Sequence, residues 1–443
     1  MSDSSPSINV ICDTAQRLTG SATDYRPLLR LASGREMILL GEASHGTHEF
    51  YQRRADITQA LIEDQGLDAV IIEGDWPDVA RINHYVRGHD RDSSAREALA
   101  DFERFPLWMW RNTEMAAFVQ WLREWNSRQE RDRQTGIYGM DLYSMYRSAE
   151  AVVQYLETVD PEAAGRARER YACMNHHRDP QRYGYRAAMG ISESCQQAAV
   201  EQLLEMMERR NQWLLRDGPL AEDEEFYAER NARVVHHAEA YYRGMFFSDV
   251  NTWNLRDRHM VNTVMDLRQH LSRQRDRPAR IALWAHNSHL GDARATDAAR
   301  QDEVNVGQLV REKLGEQALL IGFTTYTGHV TAAREWDEPA EHRWVRPALE
   351  GSVETLFHET GLGDFYLDLH RVADCALHRP LLERAIGVIY RPETEGQSHY
   401  FRATVAEQFD ALFHLEETRA LQPLDITEHW EAREPPETWP YGT

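Results

Sequence analysis

Lysine is almost missing from this chain. Lys313 is the only one in 443 residues, and every other cationic side chain with a permanent charge is arginine. The formal net charge is −22. Nucleic-acid backbones are held by basic surfaces, so this balance argues against nucleic acid as a partner, and equally against an anionic membrane. GC-rich codon usage, selection for an acidic surface in a salty cytoplasm, or both together would produce the bias. Either cause concerns solubility, not fold or chemistry. Long apolar runs are also lacking. No stretch approaches the roughly 18 residues needed to span a bilayer. The first residues, Met1-Ser2-Asp3-Ser4-Ser5-Pro6-Ser7, have neither the basic start nor the apolar core of a secretory signal. The four cysteines, Cys12, Cys173, Cys195 and Cys375, form no Cys-x-x-Cys pair. Free thiols in a reducing, cytoplasmic setting are the simplest expectation.

Several familiar chemistries are absent as well. There is no Gly-x-Ser-x-Gly nucleophile elbow. His48-Glu49 and His358-Glu359 both lack the second histidine of a His-Glu-x-x-His zinc motif. Neither a phosphate-binding glycine loop nor a dinucleotide fingerprint occurs. The adjacent pairs His176-His177 and His236-His237 point in different directions on a helix and read as surface residues.

What is present is a set of buried parallel strands, four of which run into an acid or a histidine. Met37–Leu40 runs into Gly41-Glu42-Ala43-Ser44-His45-Gly46-Thr47. Ala69–Ile72 runs into Glu73-Gly74-Asp75-Trp76. Ile137–Met140 runs into Asp141, and Ile281–Trp284 into Ala285-His286-Asn287-Ser288-His289. A fifth, Leu319–Phe323, ends on Thr324-Thr325-Tyr326. Ligands of open parallel sheets bind at the carboxyl ends of strands, so these motifs are expected to surround one cleft.

The spacing predicts a helix from Val10 to Leu18, another from about 47 to 65 closed by Gly66, and others over 76–88 and 113–130. The first strand, the helix closed by Gly66 and the second strand form a βαβ unit, for which a right-handed connection is expected. Between 145 and 275 strand signals vanish. Val200, Leu203, Leu204, Met207, Leu214 and Leu215 read as a helical stripe, with a break near Phe247-Ser248-Asp249. Strands return at 281–284 and 319–323 and continue at 365–369, 385–390 and 409–414. The expected fold is α/β: a three-layer, mainly parallel sheet flanked by helices, with a large helical insertion. Residues 9–144 and 276–430 make a discontinuous core, 145–275 the insertion, and 1–8 and 431–443 the tails.

Each candidate has a plain structural alternative. Glu42 could cap a helix, yet Glu42 and His45 together, between Gly41 and Gly46, occupy a tight turn at a strand end. Glu73 leaves a buried strand, so it needs a partner or a raised pKa; an arginine ion pair is the competing reading. Asp75 could cap the helix beginning at Trp76. His286 and His289 stand three apart, as metal ligands or as a base with a helper would. Asp141 and Asp292 are weaker candidates. The aromatic run containing Trp108 and Trp110 reads as core, with lining of a substrate pocket as its functional alternative.

These residues resemble the erythromycin esterase family. The resemblance is carried by Gly41–Thr47 with Glu49-Phe50, by Glu73-Gly74-Asp75 and by Trp284–His289. Arg256-Asp257 with Met260, and Phe409-Asp410-Ala411 with Glu417-Thr418, extend it along nearly the whole chain. The resemblance implies water attack on an ester without a covalent intermediate. It assigns His45 as general base, Glu42 and Glu73 as residues that orient or polarise the water and base, Arg54 as support, and His286 and His289 as the second cluster. A neighbouring carboxylate raises an imidazole's basicity, and an arginine or protonated histidine stabilises an oxyanion. Asp75, Trp108, Trp110 and Arg256 are the candidate substrate-binding residues. The expected function is a hydrolase of an ester or lactone, acting on a small molecule without a cofactor. A divalent metal held by Glu42, His45, Glu73, His286 and His289 is the alternative. A binding protein that keeps the cleft without turnover is a third reading.

Overall fold

The computed structural model describes residues 5–89, 92–174, 179–217 and 219–431. The strands, in chain order, are β1 (Gln16–Arg17), β2 (Met37–Leu40), β3 (Ala69–Asp75), β4 (Gly136–Asp141), β5 (Ile281–Trp284), β6 (Ala318–Ala332), β7 (Glu341–Val345), β8 (Phe365–Asp368), β9 (Leu381–Arg384), β10 (Tyr400–Ala403) and β11 (Ala411–Thr418). One nine-stranded sheet has the order β1-β8-β11-β6-β2-β5-β3-β4, with β7 beside β6. β9 and β10 form a separate antiparallel pair. The fold is therefore α/β with a mostly parallel sheet.

β2, β5 and β3 read as uninterrupted apolar runs because sheets covered on both faces bury every side chain. All four residues of β2 and all four of β5 are buried. β2 pairs in parallel with β5 on one side and β6 on the other, and β11 adds in parallel beyond β6. β8 and β7 attach antiparallel. The carboxyl ends of β2, β5 and β6 thus lie side by side, and the loops after β2 and β5 meet there. The helix His48–Gln65 leads from β2 towards β3 and ends at Gly66, whose φ of +64° is the left-handed cap expected of glycine. β5, from the far side of the insertion, takes the place in the sheet between β2 and β3.

The chain divides into two compact units. The larger comprises Met1–Val70, Tyr85–Gly136 and Leu271–Thr443, the smaller Ile71–His84 and Ile137–His270. Helices Met145–Val159, Pro161–Tyr171, Pro180–Ala188, Gln196–Asp217, Pro219–Gly244 and Thr252–Arg275 follow one another with no strand among the described residues. Val152, Leu156, Tyr171, Tyr183, Met206 and Val235 are among the buried side chains that hold the smaller unit together. The expected break falls between Gly244 and Thr252.

Several expectations need correction. The first helix is Ser5–Thr14, followed by the short strand β1, so residues 5–8 are helical. The stripe on Gln196–Asp217 is out of phase by about one residue. Ala199, Leu203 and Met206 are buried, while Leu204 is 49 % and Met207 46 % exposed. The side chains of Leu214 and Leu215 lie outside the described residues. The strand expected at 385–390 makes only isolated bridges, Ser44 to Ile386 and Ala333 to Ile389, and β9 precedes it. Two cysteines are bonded rather than free: Cys173 and Cys195 form a disulfide with Cα atoms 5.9 Å apart. His176-His177 and residues 432–443 lie outside the described residues. His236 and His237 are half-buried, not surface residues, and His237 Nδ1 lies 2.6 Å from His259 Nδ1. Burial, reinforced by the neighbouring His236, lowers the pKa of His237 to about 4.

Candidate active site

The turn after β2 is pinned from several sides. Gly41 N–H donates to the Ile321 carbonyl at 2.8 Å, Ile386 N–H to the Ala43 carbonyl at 2.8 Å, and Thr331 N–H to the Gly46 carbonyl at 2.9 Å. Both flanking glycines are required by close approach. A Cβ on Gly41 would lie 2.1 Å from Asn287 Oδ1, and one on Gly46 would lie 1.8 Å from the Thr331 carbonyl oxygen. Side chains on this turn are consequently held in fixed positions, as a catalytic group must be.

Glu42 and His45 form a buried dyad. His45 Nδ1 lies 3.0 Å from Glu42 Oε1, and the two side chains are 9 % and 0 % exposed. Nδ1–H donating to the carboxylate leaves the Nε2 lone pair as the basic position. The other oxygen, Glu42 Oε2, accepts Arg54 Nη2 at 2.5 Å. Arg54 comes from the helix His48–Gln65 and is fully buried. Its guanidinium lies 4.5 Å from the Tyr51 ring and 5.2 Å from the Trp284 ring, a favourable setting for a desolvated cation. Tyr51 in turn donates to the Met109 carbonyl at 2.7 Å and meets Trp110 edge-on at 5.9 Å. Trp110 is thus buried three contacts behind the dyad. Trp108 is buried just before it in the chain, at 5 % exposure.

The second histidine motif follows β5. His286 caps the short helix Asn287–Leu290, its Nδ1 accepting from Ser288 N–H at 3.2 Å with Ser288 Oγ at 2.8 Å. A neutral His286 therefore carries its proton on Nε2. Its ring centroid is 5.0 Å from that of His45. His289 is buried on the same helix. Asn287, between them, stands in the sequence as part of the motif with no role assigned to it. Its backbone N–H donates to the Glu42 carbonyl at 2.7 Å, and its side chain donates to the Phe323 carbonyl at 2.8 Å. It joins the ends of β2, β5 and β6. The only hint was the glycine at 41, and that cannot be interpreted without the close approach.

Glu73, Asp75, Asp141 and Arg256 form a cluster within the smaller unit. Arg256 Nη2 lies 2.7 Å from Glu73 Oε1 and 2.7 Å from Asp141 Oδ2, with Nε 3.0 Å from Asp141 Oδ1. Against the penalty of burial, Asp141 and Glu73 hold the guanidinium pKa well above its usual value. Asp75 Oδ1 accepts from Tyr143 N–H at 2.7 Å. Glu73 and Asp75 are the last part of β3 itself, not of a loop beyond it. Arg256, a substrate-binding candidate, is engaged by two carboxylates.

The C-terminal motif residues are architectural. Asp410 Oδ2 accepts from Leu320 N–H at 2.7 Å and from Arg311 Nη2 at 2.6 Å, setting β11 against β6. Glu49 accepts from Arg419 Nε at 2.7 Å. Among the described residues, no group of three or more His, Cys, Asp or Glu side chains is placed to hold a metal ion. No described helix is long and apolar enough to cross a membrane.

The chain belongs to the erythromycin esterase family, whose sequence profile matches residues 62–418, and it is a hydrolase of the esterase type. It is 21 % identical over 437 residues to the erythromycin esterase type II of Escherichia coli, covering 89 % of this chain and 92 % of that protein. Its fold matches a succinoglycan biosynthesis protein with a TM-score of 0.77 at 18 % identity, covering 95 % and 99 % of the two chains. A Bacillus cereus protein gives 0.77 at 17 % identity, covering 96 % and 100 %. An erythromycin esterase mutant, EreC, in its open conformation gives 0.68 at 17 % identity, covering 92 % and 96 %.

Proposed function

We propose that this esterase-type hydrolase cleaves an ester or lactone of a small molecule by direct attack of water, with His45 as general base. The observation that carries the reading is the buried Glu42–His45 dyad on a turn fixed from several sides. Glu42 selects the tautomer, and Arg54 holds Glu42. His45 Nε2 takes one proton from water as the oxygen attacks the carbonyl carbon. The carbonyl π electrons move to the oxygen, and the Nε2–H of His286 is a donor suited to that charge. When the tetrahedral species collapses, the C–O bond breaks. The departing alkoxide takes the proton back from His45, which returns as a neutral base.

The metal-independent form is favoured by the donor set. Both oxygens of Glu42 are engaged, one by His45 and the other by Arg54. A metal cation at Glu42 would also sit against the buried Arg54 guanidinium, which already neutralises this carboxylate. A panel of aryl esters, alkyl esters and lactones, macrolides included, tests the reading, with His45→Ala as control. Turnover should depend on His45 and survive chelation. Loss of turnover on chelation, restored by zinc or manganese, would replace this reading by the metal-dependent one.

A further inference from the structure

A second cavity lies away from the dyad. It encloses about 270 Å³, and Ile62, Leu67, Trp125, Asp132, Arg133 and Arg277 are among the residues that line it. Leu67 stands just before β3, and Arg277 just before β5. β5 runs parallel to β2, and the dyad follows the carboxyl end of β2. The cavity is therefore at the amino edge of the sheet, with the strands between it and His45.

The hollow is framed by hydrogen bonds. Asn126, buried at the end of the helix Thr113–Asn126, donates from Nδ2 to the carbonyls of Val86 at 3.0 Å and Thr135 at 2.9 Å. Its Oδ1 accepts from Thr135 N–H at 2.9 Å. Thr135 Oγ1 donates in turn to the Leu67 carbonyl at 2.8 Å. The helix end, the approach to β4 and the approach to β3 are thus held at fixed spacing. Trp125 is half-buried and stacks on Trp121 at 5.9 Å and 13°, and Trp121 on Phe118 at 6.1 Å and 19°. Its ring is a stiff wall, and the buried Ile62 and Leu67 continue the apolar lining.

The charges divide into an inner pair that is spent and an outer pair that is not. Asp68, also in the lining, is buried and accepts from Arg277 Nη1 and Nη2, both at 2.8 Å, and from Arg280 N–H at 2.9 Å. This bidentate pair satisfies itself. Asp132 and Arg133 are exposed and consecutive on the turn Arg131–Arg133. Both border the cavity, yet neither side chain pairs with the other or with any other described residue. The side-chain amide of Gln129, beside them in the lining, is equally unengaged among the described residues. Exposed charges on a turn are ordinarily left to water. This pair differs in bordering a built hollow with an aromatic wall.

We propose that the cavity binds a free α-amino acid with an apolar side chain, its carboxylate on Arg133, its ammonium on Asp132 and its side chain against Trp125. A ligand here meets a cation and an anion side by side. An ion of one sign would use only half of the pair, and an apolar molecule would strand both. A planar guanidinium fork matches a carboxylate, and an adjacent carboxylate suits the ammonium one carbon away. The volume sets the scale. It falls just under the roughly 300–1,000 Å³ of drug-sized pockets, which suits a single amino acid. The inference is independent of the esterase reading, because its readout is binding and not turnover.

Isothermal titration calorimetry of the full chain with L-phenylalanine and L-leucine tests it. N-acetyl-L-phenylalanine, which lacks the ammonium, L-phenylalanine amide, which lacks the carboxylate, and glycine, which lacks the side chain, are the comparisons. Both apolar amino acids should bind saturably, and each comparison compound at least about tenfold more weakly, since each gives up a charge-assisted contact or the apolar one. Arg133→Gln and Asp132→Asn alter exposed side chains and should keep the wild-type melting temperature while weakening L-phenylalanine by a similar factor. Trp125→Ala should weaken it too, and if that variant does not fold the two charge variants decide. His45→Ala should bind as wild type does. Absence of saturable heat with both amino acids would overturn the proposal. Equal affinity for either blocked compound would replace the free amino acid by a peptide terminus and overturn the zwitterion assignment. Undiminished binding in both charge variants, or loss of binding in His45→Ala, would place the ligand elsewhere and overturn it as well.

Discussion

At the scale of single residues, the dyad and its arginine separate chemistry from stability. His45 sits on a turn held by backbone hydrogen bonds, and its removal leaves the Glu42–Arg54 pair intact, so His45→Ala should fold normally. Its kcat should fall by about 10²–10⁴, the usual worth of a general base. Wild-type kcat in this variant on a good ester would remove the base assignment. Glu42→Gln should behave differently. The Arg54 guanidinium is fully buried, and Glu42 is the carboxylate that pairs with it. Breaking a buried pair by neutralising one side leaves the other charge stranded, at a cost of about 3–5 kcal/mol. Urea midpoints should therefore drop sharply for Glu42→Gln and hardly at all for His45→Ala. Equal midpoints for the two would show that Arg54 finds another anion or water. The sequence showed Glu42 and His45 as candidates because their types and strand-end positions already suggest chemistry, and Arg54, on the helix His48–Gln65, only through the family resemblance. The role of Asn287 was not legible. An asparagine that bridges three strand ends looks like any turn residue.

Among the elements, the turn after β2 is the one on which the site depends. β6 outlasts the sheet and runs on beside that turn, where Thr331 donates to Gly46. The sequence marked only the buried half of β6, since from Tyr326 onward its burial becomes mixed and the apolar run ends. β7, β9 and β10 were missed for a related reason. They are short, partly exposed strands, and a half-buried strand of four or five residues leaves too few alternations to be recognised. The central strands and the helical insertion were legible because buried runs and long helix-period stretches are strong signals. The phase of a single helix face was not, since Leu204 and Met207 are exposed apolar residues that no periodicity distinguishes from buried ones. Gly46→Ala tests the turn as an element. Its Cβ would overlap the Thr331 carbonyl, a backbone atom that cannot move aside cheaply. The variant should lose stability and kcat together, whereas alanine at Gly66 should lose about 1 kcal/mol of stability and no kcat. Unchanged kcat in Gly46→Ala would mean that the position of the turn against β6 does not matter to turnover.

Across the whole molecule, two compact units raise the question of which one yields first. A two-unit chain need not unfold in one step, and the disulfide lies entirely in the smaller unit. Cys173 is half-buried and Cys195 fully buried, and the bond closes a loop with a sequence separation of 22. A cross-link of this span lowers the entropy of the unfolded chain, which is worth about 3 kcal/mol where the native geometry is undisturbed. The lack of a Cys-x-x-Cys pair suggested free thiols, and spacing could not reveal the bond, because the helix Pro180–Ala188 lies between the two cysteines. Thiol titration of unfolded protein without reductant should find two reactive thiols, Cys12 and Cys375, and four after reduction. Cys173→Ser should lower only the unfolding transition that melts the helical unit, leaving the other in place. Four thiols before reduction would show that the bond does not form in the isolated protein. The helices on either side would then be held by the buried residues around Tyr171 and Met206 alone, and Cys173→Ser should leave both transitions where they were.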